Sequence, residues 1–177
     1  MPTLQEKAAR IKLVVFDVDG VLTDGSLILG DNGAEYKVFY TRDGHGMVML
    51  QASGVQIAVI SGRSSQVVVD RMASLGIEHI YQGQADKLQA FEKLLKRLRV
   101  NADQVAYVGD DVVDLPIMAR VGLAISVADG HSLVADHADW QTPSVGGRGA
   151  AREVCELIME AQGALEGQLQ RYLQVSS

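Results

Sequence analysis

Short apolar runs bounded by polar residues or glycine recur along the chain, and runs of this length predict buried β-strands. The clearest of them is Leu13-Val-Val-Phe16. The predicted strands cover residues 12–17, 55–60, 77–81, 105–108, 122–127 and 138–141. Helices are predicted at residues 3–10, 47–53, 65–75, 87–98, 114–120 and 150–161, the third of them capped by Ser64. Strands that alternate with helices predict an α/β domain with a mainly parallel sheet.

Three segments interrupt this alternation. Residues 26–40 contain two strand-like runs around Asn32-Gly33, a pattern that predicts a β-hairpin inserted after the first strand. This hairpin is too short to form a separate cap domain. Residues 41–46 predict a polar, glycine-bearing loop, and the chain from Gly163 onward is weakly patterned and predicted to fray. We therefore expect one domain over residues 1–177, with a glycine-rich loop and tail over about 144–177.

The composition limits the kinds of partner. The 177 residues are 47% hydrophobic, which excludes a disordered chain and allows one domain with a real core. Sixteen Lys and Arg against 22 Asp and Glu give a net charge of −6 without a long basic run, so no nucleic-acid partner is expected. The single Cys155 cannot form an internal disulfide. Without a signal-type or membrane-spanning apolar stretch, the sequence predicts a cytoplasmic protein with no membrane partner.

Polar side chains follow three of the predicted strands. Asp17 and Asp19 come after the first, Ser61 after the second, and Asp110 after the third main strand. Residues two apart on extended backbone point the same way, and parallel strands bring their carboxyl ends to one edge, where open α/β sheets bind ligands. Lys87, which opens a helix after another strand, can reach the same edge. An ordinary acidic turn would explain Asp17 with Asp19, or Asp110 with Asp111, taken alone. It would not explain the presence of both pairs.

These residue types suit phosphoryl transfer with a magnesium ion. Carboxylates at this density fit Mg²⁺, whereas zinc-ligand spacing, a Walker A loop and GxGxxG are absent. A carboxylate can attack phosphorus, a second acid can protonate the leaving oxygen, and cations can offset the charge on the phosphoryl group. Asp17 is the predicted nucleophile, and Asp19 is the predicted general acid and base. Ser61 is predicted to donate a hydrogen bond to the phosphate, and Lys87 to serve as the fixed cation. Asp110 is the predicted metal ligand, with Asp111 and Asp114 supporting the metal site.

The motifs that carry these roles resemble those of the haloacid dehalogenase-like phosphatase superfamily. They are Asp17-Val-Asp-Gly-Val-Leu-Thr23, Ser61-Gly-Arg63, Lys87 and Gly109-Asp-Asp-Val-Val-Asp114, in that order. The resemblance implies a three-layer, Rossmann-like fold without a cap domain. Three further segments narrow the resemblance: Thr41-Arg-Asp-Gly44, Tyr81-Gln-Gly-Gln84 and Gly146-Gly-Arg-Gly149. With them, the chain resembles one family within this superfamily, the 3-deoxy-D-manno-octulosonate 8-phosphate phosphatases.

That resemblance implies a Mg²⁺-dependent homotetramer that hydrolyses a phosphorylated sugar acid in lipopolysaccharide precursor synthesis. The hairpins would meet at the centre of the tetramer, and a neighbouring subunit would help to close each site. The implied metal ligands are the side chains of Asp17 and Asp110 and the backbone carbonyl of Asp19. The implied substrate contacts are Asp19, Tyr40, Thr41, Arg42, Asp43, Gly44, Arg63, Arg71 and Lys87.

Several alternatives stay open at this level. Val48 stands where some members carry an arginine, so one cation for the sugar is missing. The substrate could then be another sugar phosphate, such as a nine-carbon ulosonate, or the chain could be a non-catalytic tetramerisation module. Arg63 and Arg71 could equally be solvated on a helix face. Arg148 could reach an anionic site or lie on an exposed turn.

Overall fold

A six-stranded parallel sheet forms the centre of the protein. The computed structural model describes residues 2–173. Its sheet has the order β5-β4-β1-β6-β7-β8, and every neighbouring pair is parallel. The strands are β1 (Leu13–Phe16), β4 (Gln56–Ile60), β5 (His79–Tyr81), β6 (Val105–Gly109), β7 (Leu123–Ser126) and β8 (Trp140–Gln141). The α/β fold expected from the alternating pattern is confirmed.

Helices cover both faces of this sheet. They are α1 (Leu4–Ala8), α2 (Thr41–Ala52), α3 (Gln66–Ser74), α4 (Lys87–Leu98), α5 (Leu115–Met118), α6 (Ser132–His137), α7 (Ala150–Ala161) and α8 (Leu165–Leu173). Successive residues of β1 point to opposite faces, so Val14 and Phe16 pack in one core cluster, with α2, α3 and α7. Leu13 and Val15 pack in the other, with α4, α5 and α6. A strand buried on both faces needs the unbroken apolar run seen in the sequence.

The predicted hairpin forms a separate two-stranded sheet. Its strands, β2 (Ile28–Leu29) and β3 (Glu35–Tyr36), pair antiparallel and are shorter than the sequence runs suggested. Several of its apolar side chains are exposed, among them Leu27, Leu29, Tyr36 and Val38. The hairpin therefore extends from the domain rather than adding to the central sheet.

The prediction of a loop over residues 41–46 is wrong, because this segment is the first part of α2. Its two glycines serve close packing instead of a turn. A Cβ on Gly44 would lie 2.3 Å from a guanidinium nitrogen of Arg71, and one on Gly46 would lie 2.7 Å from Cδ of Arg152. Both glycines are buried, so α2 approaches its neighbours more closely than side chains would allow.

The prediction of a fraying end is wrong for residues 165–173, which form α8. Ala164 and Leu165 pack on the core cluster that holds α7, and the Tyr172 ring meets the His45 ring edge-on, with centroids 5.2 Å apart. Residues 174–177 of the predicted tail lie outside the described residues. Within residues 2–173, no helix combines the length and the apolar character that a membrane crossing requires.

The predicted cap of α3 is also corrected by one residue. Ser65, not Ser64, is the N-cap residue, and its hydroxyl makes no capping hydrogen bond. Instead the Gln82 side chain accepts from the backbone N–H of Ser65 at 2.8 Å and donates to its carbonyl at 3.1 Å. This clamp joins the start of α3 to the loop after β5.

Candidate active site

The carboxyl ends of β1, β4 and β6 and the first turn of α4 surround one open cleft of about 200 Å³. Asp17 follows β1, Ser61 follows β4, Asp110 follows β6, and Lys87 begins α4. The residues that line the cleft are Asp17, Asp19, Ser61, Gly62, Arg63, Lys87, Asp110, Asp111 and Val113. The sheet topology therefore brings together carboxylates that lie more than 90 positions apart in the sequence.

Lys87 lies between two buried carboxylates. Its Nζ is 3.0 Å from Oδ2 of Asp17 and 2.8 Å from Oδ1 of Asp114. Burial, and then the Asp114 charge, raise the pKa of Asp17, whereas the Lys87 charge lowers it. Burial and Asp114 outweigh Lys87, and the pKa of Asp17 is about 6. Burial lowers the pKa of Lys87, but the two carboxylates outweigh burial and raise that pKa above its ordinary value. Lys87 is therefore a fixed cation beside Asp17.

Asp114 is fully buried, and both of its oxygens are occupied by protein donors. Oδ1 accepts from Lys87 and from the Tyr107 hydroxyl at 2.6 Å, and Oδ2 accepts from the backbone N–H groups of Asp110 and Asp111 at 3.1 and 3.3 Å. A Cβ on Gly109 would lie 2.6 Å from Cβ of Asp114, so this approach requires glycine there. Asp114 thus orients the loop that carries Asp110.

Tyr107 is a site residue that the sequence does not predict. Its side chain lies within the apolar run of β6 and is fully buried, so the sequence marks it only as a core residue. Burial and the neighbouring Asp114 charge hold the pKa of its hydroxyl well above the ordinary value. Tyr107 therefore stays a neutral donor to Asp114 at the centre of an acidic cluster.

The acidic cluster fits a divalent cation. Asp17, Asp110 and Asp114 each offer a carboxylate oxygen, and these atoms all lie within 4.8 Å of one another. Within residues 2–173, Oδ1 of Asp110 is buried without a hydrogen-bond partner. Burial together with the Asp17 charge raises the pKa of Asp110 to about 7. Because Asp114 is occupied by protein donors, Asp17 and Asp110 are the side chains free to bind a metal. An all-oxygen donor set suits Mg²⁺.

Gly20 keeps the space beside Asp110 open. Its φ is +93°, and a Cβ there would lie 2.1 Å from Oδ2 of Asp110. Only glycine adopts this backbone conformation readily, and no other residue would leave room for the carboxylate. The loop after β1 and the loop after β6 can therefore approach each other closely.

Asp19 points toward the hairpin. Its Oδ1 accepts a hydrogen bond from Nζ of Lys37, which also lies 2.9 Å from Oε1 of Glu35. Oε2 of Glu35 in turn accepts from the Arg63 guanidinium at 2.8 Å. Burial lowers the pKa of Lys37, but the contacts with the Asp19 and Glu35 carboxylates outweigh burial and raise that pKa. The sequence does not predict Lys37 and Glu35 as site residues, because charged residues on a short hairpin resemble a solvated face.

Ser61 and Asp111 occupy the two rims of the cleft. Ser61 is buried, and its Oγ accepts from the backbone N–H of Arg63 at 3.3 Å, so the hydroxyl proton is free to donate. Asp111 is exposed and accepts from the backbone N–H of Val112 at 2.7 Å, which caps the short 3-10 turn Val112–Asp114. Both residues thus line the cleft.

The structure does not bring residues 40–44 or Arg71 into this cleft. Arg71 lies over the Phe39 ring, 6.0 Å from its centroid, and beside Gly44. Asp43 is buried, and its carboxylate accepts from the backbone N–H groups of Gly149 and Arg152 at 3.3 and 2.9 Å. Within the described chain, Asp43 therefore holds the start of α7 instead of facing a substrate.

The glycine-rich loop, residues 146–149, packs against the loop that follows β1. The N–H of Gly147 donates to the Val21 carbonyl at 2.9 Å, and a Cβ on Gly146 would lie 1.8 Å from the Gly20 carbonyl oxygen. Arg148 is exposed and lies near Asp24. The pKa of the Asp24 carboxyl is lowered mainly by hydrogen bonds from Ser26, and the Arg148 charge adds a smaller contribution. The glycine-rich loop thus supports the segment that carries Asp17 and Asp19.

The chain is similar in sequence and structure to known hydrolases. Residues 69–154 match the family model of haloacid dehalogenase-like hydrolases. Over 165 residues the chain is 50% identical to 3-deoxy-D-manno-octulosonate 8-phosphate phosphatase KdsC of Salmonella typhimurium, which covers 93% of this chain and 88% of that protein. The chain belongs to the 3-deoxy-D-manno-octulosonate 8-phosphate phosphatase family.

Solved structures of 3-deoxy-D-manno-octulosonate 8-phosphate phosphatases superpose closely on this chain. The Yersinia pestis enzyme has a TM-score of 0.92 at 49% identity, over 93% of this chain and 89% of that one. The Moraxella catarrhalis enzyme, solved in complex with magnesium, phosphate and KDO, has a TM-score of 0.93 at 44% identity, over 96% and 97% of the two chains. The fold implied by the motifs is therefore that of the family.

Proposed function

We propose that this protein is a Mg²⁺-dependent phosphatase that hydrolyses 3-deoxy-D-manno-octulosonate 8-phosphate to 3-deoxy-D-manno-octulosonate and phosphate. One observation carries the proposal: buried Asp17 contacts Lys87 and lies beside Asp110, whose buried Oδ1 has no partner in the described part of the protein. This arrangement supplies a nucleophile, a fixed cation and a metal site at one sheet edge. The substrate assignment is supported by the 50% identity with KdsC and by the complex of the Moraxella catarrhalis enzyme with KDO.

In the first half-reaction, a carboxylate oxygen of Asp17 attacks phosphorus and the bond between phosphorus and the sugar oxygen breaks. Asp19 donates a proton to that leaving oxygen. In the second half-reaction, Asp19 takes a proton from water, which attacks the aspartyl-phosphate and releases phosphate and free Asp17. When bound by Asp17, Asp110 and the Asp19 carbonyl, Mg²⁺ supplies positive charge that offsets the charge on the phosphoryl group.

Two further residues position the phosphoryl group. The Lys87 ammonium adds a second positive charge on the Asp17 side of the cleft, and it is held in place by Asp114. The Ser61 hydroxyl, whose oxygen already accepts from Arg63 N–H, has its proton free to donate to a phosphate oxygen. Asp111 and Asp114 support the loop that carries Asp110.

The sugar acid carries a carboxylate, so recognition needs cations beyond the phosphate site. Arg63 is the cation at the rim of the cleft, and its guanidinium is nearly half exposed. We propose that Tyr40, Thr41, Arg42, Gly44 and Arg71 contact the sugar where another subunit completes the site, since they lie outside the cleft of their own chain. Asp43 is proposed to act indirectly, by holding α7. Val48 is exposed on α2 and adds no charge there.

A homotetramer is part of the proposal. The exposed apolar side chains of the hairpin, Leu27, Leu29, Tyr36 and Val38, are between 49% and 68% exposed and form a surface suited to association between copies. We also propose a cytoplasmic role in lipopolysaccharide precursor synthesis. The buried free thiol of Cys155 is compatible with a reducing compartment.

A phosphate-release panel with Mg²⁺ tests the function. The panel contains 3-deoxy-D-manno-octulosonate 8-phosphate, a nine-carbon ulosonate 9-phosphate and neutral sugar phosphates. We expect the eight-carbon substrate to have the highest kcat/KM. Equal turnover of the nine-carbon compound would contradict the substrate assignment, and release from none of them would favour the non-catalytic module.

A further inference from the structure

Lys37 makes the single side-chain hydrogen bond to Asp19 within residues 2–173. Its Nζ binds Oδ1 of Asp19, whereas Oδ2 has no hydrogen-bond partner in that part of the chain. The Lys37 side chain is only 2% exposed, although lysine is rarely buried. One oxygen of Asp19 is therefore tied to a buried ammonium, and the other has no protein partner within residues 2–173, while Asp19 as a residue lines the cleft.

The Lys37 ammonium is part of a row of alternating charges. Asp19, Lys37, Glu35 and Arg63 follow one another, with 2.9 Å between Lys37 and Glu35 and 2.8 Å between Glu35 and Arg63. The two ends of this row, Asp19 and Arg63, both line the cleft. Glu35 and Lys37 are two apart on extended backbone, so they face the same way, while Tyr36 between them is exposed. The hairpin thus presents its charged side to the cleft and an apolar side to solvent.

We infer that Lys37 is a positioning residue for Asp19: it fixes the carboxylate so that Oδ2 faces the oxygen that leaves with the sugar. This inference rests on the proposed phosphatase function. Lys37 exchanges no proton with the substrate, and its whole effect passes through Asp19. It also explains why a hairpin that pairs with no strand of the central sheet is docked beside the cleft.

The leaving group separates a positioning role from a purely structural one. A sugar phosphate leaves as a strongly basic alkoxide and needs the proton that Asp19 donates. The aryl ester p-nitrophenyl phosphate leaves as a weakly basic phenolate and needs little proton transfer. Since kcat/KM reports free-energy changes up to the step that breaks this bond, loss of Asp19 orientation should lower kcat/KM for the sugar phosphate selectively.

The test compares wild type with Lys37→Met and Lys37→Arg, using both substrates and Mg²⁺. For Lys37→Met we expect kcat/KM to fall about 10- to 100-fold for 3-deoxy-D-manno-octulosonate 8-phosphate, and less than about threefold for p-nitrophenyl phosphate. Lys37→Arg should restore most of the loss, because a cation again reaches Asp19. An equal fall for both substrates, or no fall for either, would overturn the inference.

Two controls belong to this experiment. Glu35→Gln leaves the Lys37 contact with Asp19 in place but removes the charge that pairs with Arg63. A selective fall in kcat/KM for the sugar phosphate as large in Glu35→Gln as in Lys37→Met would assign the effect to Arg63 and overturn the inference. Lys93→Met removes an exposed lysine of α4 and should leave both substrates unaffected. Should Lys37→Met fail to fold, Lys37→Ala, which also has no side-chain donor, is measured instead, and a wild-type ratio in that variant would equally refute the positioning role.

Failure of the proposed function has a different signature. In that case the wild-type enzyme itself releases no phosphate from the eight-carbon substrate. If only the inference fails, wild type is active and Lys37→Met changes kcat/KM for both substrates by the same factor. If wild type hydrolyses another sugar phosphate, the same ratio is measured with that ester. A selective fall there still supports the role of Lys37.

Discussion

Nζ of Lys87 lies 3.0 Å from Oδ2 of Asp17, a contact that joins the first residue of α4 to the end of β1. It leaves the other oxygen of Asp17 free of Lys87. Both side chains are more than 90% buried, so neither charge is compensated by bulk water. Removal of either partner therefore affects stability as well as chemistry.

Replacement of Lys87 by methionine should lower the free energy of unfolding by about 3–5 kcal/mol, because it leaves Asp17 and Asp114 buried without their cation. Urea denaturation at neutral pH without metal measures this. Lys93→Met, on the exposed side of the same helix, is the matched control and should change stability by less than about 0.5 kcal/mol. A Lys87 variant as stable as the control would contradict the pairing.

The metal-free protein should become less stable as pH rises from 5 to 8. The folded pKa values of Asp17, about 6, and Asp110, about 7, lie above the ordinary 3.8, so the folded state binds protons that the unfolded chain has already lost. The free energy of unfolding therefore falls with rising pH across this window, by on the order of 4 kcal/mol. Thermal and urea unfolding in EDTA measure the slope.

Asp110→Asn is the informative variant for this pH dependence. It removes one like charge, so the free energy of unfolding should depend less steeply on pH. The metal-free variant should be more stable than wild type at pH 8, and the difference in the free energy of unfolding should be smaller at pH 5. A variant with an unchanged slope would show that Asp110 does not carry a raised pKa in the folded protein.

Gly20→Ala should weaken Mg²⁺ binding by at least about tenfold, because the new Cβ would lie 2.1 Å from Oδ2 of Asp110. Calorimetric titration with Mg²⁺ measures this. Gly33→Ala is matched in its positive φ, +74° against +93°, but meets no atom within 4 Å. Both variants should lose about 1–2 kcal/mol of stability, and only Gly20→Ala should lose affinity for the metal. Equal affinities would contradict the close approach of the two loops.

Asp43→Ala should destabilise the protein by about 1–2 kcal/mol, through loss of the carboxylate that accepts from Gly149 and Arg152. Denaturant unfolding is the measurement. Thr41→Ala, two residues earlier on an exposed position, is the control. If Asp43→Ala kept full stability while KM for the sugar acid rose, Asp43 would be a direct substrate contact after all.

The parts of the fold that the sequence predicts well are those whose signals are local. The bounds of α4 agree with prediction, because Asp86 caps its start, accepting from Leu88 and Gln89, and Arg99 ends it in the left-handed region. The apolar runs of β1, β4 and β6 likewise mark strands buried on both faces.

The errors arise where distant residues decide the local structure. Glycines in the segment 41–46 indicate a loop by composition, yet the contacts of Gly44 with Arg71 and of Gly46 with Arg152 make it helical. Lys37 and Tyr107 were missed for a similar reason, since each becomes part of the site only through a carboxylate brought near it by folding. A hairpin lysine and a strand tyrosine carry no mark of this in the sequence.

Chemical mapping of the phosphorylated residue tests the central claim most directly. The enzyme is quenched in acid during turnover of 3-deoxy-D-manno-octulosonate 8-phosphate with Mg²⁺, digested, and examined by mass spectrometry. We predict one acid-stable, hydroxylamine-labile phosphoryl group on the peptide that contains Asp17, and none in Asp17→Asn, which should fold but lose at least about a thousandfold in kcat. Turnover without any phosphoryl group on Asp17, or Asp17→Asn with substantial activity, would contradict the account.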